Sequence, residues 1–327
     1  MEIKHRFVGT NGIRMHVAEA GEGPLVLLCH GFPESWYSWR HQIQALARAG
    51  FHAVAPDQRG YGQTDRPEAI EQYTLLHLVG DVVGLLDALG APTAVIAGHD
   101  WGAPVAWNAA LLRPDRFRAV IGLSVPFLPR GSARPTTVMP QTQDAIFYQL
   151  YFQKPGVAEA ELERDPRETI RRVLFWGSGD APRRGERTIG AGDVGMVPRT
   201  GGFLPGRDAP ATLPAWLTEA DVDFYAGEFR HSGFRGGLNW YRNIDRNWEL
   251  GAAWAGARVT VPALYVAGDR DLVLGFRGMD KLLPALKQFV PDLRQTLILP
   301  GCGHWTQQER PDEVNAAVLS FLKTLGG

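Results

Sequence analysis

Residues 95–108 read VIAGHDWGAPVAWN. A β-branched apolar run ends in Gly98-His99-Asp100-Trp101-Gly102, and a small-residue helical pattern follows at once. The spacing Gly-x-nucleophile-x-Gly belongs to a strand that turns sharply into a helix and pushes one side chain out at the turn. Serine or cysteine usually stands at that position; here it is Asp100. The stretch therefore implies a strand-then-helix unit of an α/β sheet, and it poses a chemical question: why mount a carboxylate where a nucleophile is presented?

Outward from this turn, short apolar runs alternate with helical patterns. IRMHVAEA (13–20), LVLLCH (25–30), HAVAPD (52–57), TAVIAG (93–98) and RAVIGLS (118–124) read as strands. Helices lie between them, through SWRHQIQALARAG (38–50) and TLLHLVGDVVGLLDALG (74–90). In the second of these, Leu75, Leu78, Val79, Val82, Leu86 and Leu89 share one face at i, i+3, i+4 spacing. From about Pro129 to Trp248 the alternation breaks into helical or irregular sequence rich in aromatics, with a Gly/Arg/Pro-rich piece at 177–210. It returns with VPALYVAGD (261–269), MDKLLPALKQFV (279–290), RQTLILPG (294–301) and DEVNAAVLSFLKTL (312–325). The reading is an α/β fold, a mostly parallel sheet with helices on both faces. Its core spans 1–128 and 249–327, and an inserted helical cap spans 129–248 over the strand C-terminal ends, where open α/β sheets bind ligands.

The 327 residues suffice for about two such units. Lys+Arg 34 against Asp+Glu 35 leaves no basic field for nucleic acid or an anionic membrane. Arg171-Arg172 and Arg183-Arg184 are short basic pairs on solvated faces. Cys29 and Cys302 can build neither a disulfide framework nor a metal site, so two reduced thiols in the cytoplasm are expected. The N-terminus MEIKHRFVGTNG lacks the apolar stretch of a signal peptide, and no run is long enough to span a membrane. No metal and no cofactor are expected.

Three residues fall at strand ends in the order nucleophile, acid, histidine: Asp100, Asp271 within GDRD, and His304 within GCGHWTQ. That is the chain order of α/β-hydrolase triads. Asp269 is the rival acid; Asp271, further past the strand end, is the one placed to turn toward His304. The oxyanion hole is assigned to the backbone N–H groups of Phe32, in HGFPESW, and Trp101. His30 reads as a brace for the Phe32 loop rather than a base. GAGDVG (190–195) fits a dinucleotide-binding pattern but lacks a preceding strand and a following amphipathic helix.

A carboxylate attacking an acyl group would form an anhydride, which gains little. Displacement at saturated carbon instead leaves an alkyl ester of Asp100, which water activated by His304 can cleave. The leaving group is then a halide or the oxygen of an epoxide. An epoxide oxygen leaves as an alkoxide and needs an acid, for which a phenol is suited. The cap carries tyrosines in DAIFYQLYFQKPG (144–156) and FRGGLNWYRN (234–243).

HGFPESWYSWR, GHDWG, YQLYFQKPGVAEAELE, SGFRGGLNWYRN and GCGHWTQ together closely resemble the soluble epoxide hydrolases, of α/β-hydrolase fold. The resemblance covers nearly the whole chain. It implies an eight-stranded sheet, Asp100 as nucleophile, Asp271 and His304 as the water-activating pair, and Tyr148 and Tyr241 as the phenols that bind and protonate the oxirane oxygen. Tyr151 rivals Tyr148 on spacing, and the motif favours Tyr148. A phosphatase domain precedes the hydrolase in some animal members; this chain starts directly with the hydrolase. Phe32, Trp101, Phe127, Trp240 and Trp305 are expected to wall an apolar pocket for a hydrophobic epoxide, with water as co-substrate, in a monomer or homodimer. The alternatives are a haloalkane dehalogenase and a ligand receptor that has lost its chemistry.

Overall fold

The computed structural model describes residues 1–182 and 194–326. Arg183-Arg184 and Gly190–Asp193 of GAGDVG lie outside the described residues. Ten strands are present among the described residues: β1 Lys4–Thr10, β2 Ile13–Ala20, β3 Leu25–Cys29, β4 His52–Pro56, β5 Ala94–His99, β6 Phe117–Leu123, β7 Ala145–Phe147, β8 Met196–Pro198, β9 Ala263–Gly268 and β10 Leu293–Leu299. Eight of them form one sheet in the order β1-β2-β4-β3-β5-β6-β9-β10. β1 pairs with β2 and β2 with β4 antiparallel; the remaining pairs are parallel. The expected mostly parallel eight-stranded sheet is found, and its central strands are buried along their whole length because helices cover both faces.

The sequence reading named no strand before Ile13. β1 escaped it because Lys4–Phe7 are exposed on both faces, which erases the alternation that marks a strand. Asn11-Gly12, both at positive φ (43° and 77°), form the tight turn that joins β1 to β2.

One face of the sheet packs Leu78, Val79, Val82 and Leu86 of the helix Leu75–Ala88, together with Val105 and Ala106 of the helix Gly102–Leu112. The other packs Ile43 and Leu46 of Arg40–Arg48 and Val314, Val318 and Phe321 of Pro311–Lys323. Thr74 caps the first of these helices by accepting from His77 N–H.

Between β6 and β9 the chain forms the helices Val157–Leu162, Pro166–Gly177, Glu219–Ser232, Arg235–Arg242 and Ile244–Leu250. Asp165 and Thr218 start two of them by accepting backbone N–H bonds at their N-termini. This stretch is not wholly helical or irregular: β7 and β8 pair antiparallel within it. Three-residue strands are too short to leave a periodic signal. The helix Ile244–Leu250 runs through the 248/249 position at which the sequence reading placed the boundary.

The parallel register sets Cys29 beside Gly98, Gly98 beside Gly122, and Gly122 beside Tyr265. The loops that leave β3, β5, β6 and β9 therefore open at one edge, beneath the insertion. Among the described residues no helix is long and apolar enough to cross a membrane, and no group of three or more His, Cys, Asp or Glu could hold a metal ion. Both cysteines are buried and free, and burial pushes the Cys29 thiol up to about 12.

Candidate active site

Asp100 leaves β5 at φ +49°, a left-handed conformation that non-glycine residues rarely adopt. Its neighbours have no room for side chains. A Cβ on Gly98 would strike the Gly102 carbonyl, one on Gly102 the Cys29 carbonyl, and one on Gly31 the Asp100 carboxyl itself. The glycines at this turn are thus demanded by close backbone approach, and the helix Gly102–Leu112 starts directly behind the Asp100 carboxylate.

Asp100 Oδ1 accepts the Phe32 N–H at 2.8 Å, and Oδ2 lies 3.2 Å from His304 Nε2. His304 Nδ1 lies 2.9 Å from Asp271 Oδ1, which also accepts the Val273 N–H at 2.9 Å. Asp269 is turned elsewhere: its Oδ1 accepts the Gly301 N–H at 2.8 Å. His30 braces its loop, with Nδ1 on the Gly31 carbonyl at 2.9 Å and Nε2 accepting the Gln58 N–H at 3.0 Å.

These contacts set the charges. Burial alone would raise Asp100, but the bond and charge of His304 outweigh it, so the carboxyl sits below its ordinary range. Burial would lower His304, yet Asp271 and Asp100 on its two nitrogens hold it well above the usual imidazole range. The resting pair is carboxylate and imidazolium.

Tyr148 and Tyr241 stand over this pair. Their rings are 5.9 Å apart and edge-on. Gln149 Nε2 donates to the Tyr148 hydroxyl at 3.1 Å. Burial, with the negative charge of Asp100 adding to it, pushes both phenols up, so both stay protonated at neutral pH. Tyr151 instead donates to Glu161 Oε2 at 2.8 Å, away from the carboxylate.

A cavity of about 780 Å³ joins Asp100 to Tyr148, with Trp101, Phe127, Phe147, Val273 and Phe276 among its walls. Of the five aromatics expected there, Trp101 and Phe127 line it. The other three sit behind the wall. Phe32 packs edge-on against Tyr241 with 5.5 Å between ring centres, Trp240 donates its indole N–H to Arg59 O, and Trp305 donates to Leu174 O. Tyr241 lies one ring back, edge-on to Trp101 at 5.2 Å.

Several residues of the site had no sequence signal. Ser124 Oγ lies 2.9 Å from His304 Nδ1. Glu34 and His99 form a fully buried pair at 2.7 Å, and His99 Nε2 reaches the His304 carbonyl at 2.7 Å. Glu309 accepts the N–H groups of Gly179, Gly303 and Trp305, locking the loop that carries His304.

A model of the alpha/beta hydrolase fold matches residues 24–166. Epoxide hydrolase A of Mycobacterium tuberculosis is 51% identical over 98% of this chain and 97% of its own length. Bifunctional epoxide hydrolase 2 of Sus scrofa is 42% identical over 96% of this chain, which spans 54% of that protein. Among solved structures, an epoxide hydrolase from an endophytic Streptomyces superposes with a TM-score of 0.92 at 48% identity, over 99% of this chain and 96% of its own. With identities of this size along its whole length, the chain belongs to the epoxide hydrolase family, built on the α/β-hydrolase fold.

Proposed function

We propose that this enzyme converts hydrophobic epoxides to vicinal diols in two steps centred on Asp100. The observation that carries the reading is the placement of an ionised carboxylate and a protonated phenol, Asp100 and Tyr148, on the walls of one largely apolar cavity. In the first step Asp100 attacks a ring carbon and the C–O bond opens. The departing oxygen takes a proton from Tyr148, leaving a hydroxyalkyl ester of Asp100. The Tyr148 oxygen accepts from Gln149, which leaves its own proton for the substrate.

The first step also prepares the second. Once esterified, Asp100 loses its charge, and with it one of the two attractions that keep His304 protonated. The imidazolium proton passes through solvent to the phenolate, and His304 becomes a neutral base held by Asp271. It takes a proton from water as the water attacks the ester carbonyl of Asp100. The Phe32 and Trp101 N–H groups stabilise the tetrahedral oxyanion, and collapse releases diol, carboxylate and imidazolium. Epoxide plus water gives diol, and every proton is returned.

In this reading residues 1–128 and 249–327 supply nucleophile and base, and the cap, 129–248, supplies the acid. A cytoplasmic enzyme fits the two free, buried thiols. The dehalogenase alternative is disfavoured because Phe32 offers no side-chain N–H to a halide. The test is a panel of styrene oxide, trans-disubstituted epoxides, cyclohexene oxide and 1-bromohexane. Diol from the epoxides without bromide release is expected; bromide release without diol would reverse the assignment.

A further inference from the structure

Among the described residues three non-glycines have positive φ: Asn11 in the surface turn, Asp100, and Ser124 at +69°. Backbone strain of this kind persists where the surroundings over-determine it, and it concentrates at functional sites. Ser124 follows the last residue of β6 and is fully buried. It is pinned from β9, the strand that leads to Asp271: its N–H donates to Val266 O, and the Tyr265 hydroxyl donates to its carbonyl, both at 2.8 Å. Held this way, it directs Oγ to within 2.9 Å of His304 Nδ1.

Asp271 leaves a gap that this contact fills. Only its Oδ1 engages His304, and that oxygen is shared with the Val273 N–H, while Oδ2 is buried with no hydrogen-bond partner. The ring is thus anchored at Nδ1 by one shared carboxylate oxygen and the Ser124 hydroxyl, and at Nε2 by the charge of Asp100. During alkylation the Asp100 anchor is present. In the ester it is gone, and the hydrogen bonds left to keep Nε2 aimed at the attacking water are those at Nδ1.

We propose that Ser124 is a positioning residue for the second step, sharing the Nδ1–H of His304 with Asp271 so that the ring holds its aim once Asp100 has become an ester. The proposal rests on the two-step reading above. It separates the two half-reactions: the strained serine serves ester hydrolysis and is dispensable for ester formation.

The test follows both steps by quenched flow with styrene oxide, reading ester by intact mass, in the wild type, Ser124→Gly and Ser124→Ala. Both variants remove Oγ; alanine keeps the Cβ that the serine already carries at this positive φ, while glycine relieves that strain, so the glycine variant should melt above the alanine variant. Ester hydrolysis is expected to slow on the order of tenfold in both, with ester formation unchanged within about twofold and ester accumulating. Loss of an acceptor for the imidazolium should also move the pH midpoint of hydrolysis downward, by about one unit at most. A slowing confined to the glycine variant would assign the effect to the freed backbone rather than to the lost hydroxyl. Equal loss in both steps, or unchanged hydrolysis in both variants, would likewise overturn the proposal. A wild type that forms no ester at all would instead refute the two-step reading itself.

Discussion

Asp100 combines an unusual backbone angle with an ordinary charge state. The left-handed conformation at +49° lifts the carboxyl above the sheet edge, and His304 keeps it ionised. His304→Gln keeps a hydrogen-bonding side chain but removes the base, so the ester should accumulate. Intact mass should rise by that of one substrate, and an unchanged mass after substrate addition would count against a covalent route. For the phenols, Tyr148→Phe should slow ester formation by about a hundredfold or more, as loss of a general acid does. Tyr241→Phe should cost less, because Tyr241 lies one ring behind the cavity wall that Tyr148 lines; single-turnover rates of the two variants decide this. The pH dependence has a defined sign. Hydrolysis needs neutral His304, so its rate rises with pH to a plateau, and the upward-shifted phenols add no falling limb below about 10. At this scale the triad was legible because each member directly follows a strand pattern. Glu34 and Ser124 were not: Glu34 acts through His99, 65 positions away, and Ser124 through His304, 180 positions away.

The elements that carry these residues are welded together by glycine. A Cβ on Gly179 would collide with Gly301 O, one on Gly303 with Gly177 and Gly179, and one on Gly236 with Gly60. Across the first seam His304 N–H donates to Gly177 O at 2.8 Å. The insertion segment at Gly177–Gly179 is thereby tied to the loop that carries His304. Gly179→Ala should therefore destabilise by about 1–3 kcal/mol and slow ester hydrolysis more than ester formation. Gly227→Ala is the control: within the helix Glu219–Ser232 a Cβ there meets open space, and a gain of roughly 0.5–1 kcal/mol is expected. Equal effects of the two in thermal and denaturant melts would remove the seam argument. Long, buried elements were legible from their periodicity. β1 and the β7–β8 pair were not, the first because solvent faces both its sides, the second because three residues make no period.

At the scale of the molecule, the insertion sits on the core through charged contacts as well as glycines. Glu228, on the helix Glu219–Ser232, faces the core residues Asp57 and His16 with Oε2 buried and unpartnered. Burial, with Asp57 adding to it and His16 opposing, pushes its carboxyl up to about 7 from an ordinary 4.5. Its folded-state pKa is raised, so its favourable contribution is complete below about 4.5 and is lost as pH climbs through about 7. Glu228→Gln should melt a few degrees above the wild type at pH 8 and level with it at pH 4; the same gap at both pH values would contradict this assignment. The layout of sheet and insertion was readable in the interrupted β–α alternation. The pocket wall was readable only in part, since Trp101 and Phe127 reach the cavity while Phe32, Trp240 and Trp305 support the residues around it. Sequence marks which aromatics are present, not which ring lies in front.

The covalent role proposed for Asp100 underlies all of this chemistry, and isotope transfer probes it without any substitution. The wild-type enzyme would be run through many turnovers of styrene oxide in H₂¹⁸O and digested, and the peptide carrying Asp100 weighed. Water attacks the ester carbonyl of Asp100, so each cycle should leave solvent oxygen in that carboxyl, and label should build up there and at no other carboxylate. Labelled diol alongside an unlabelled Asp100 would mean that water opens the epoxide directly, and the two-step mechanism would be wrong.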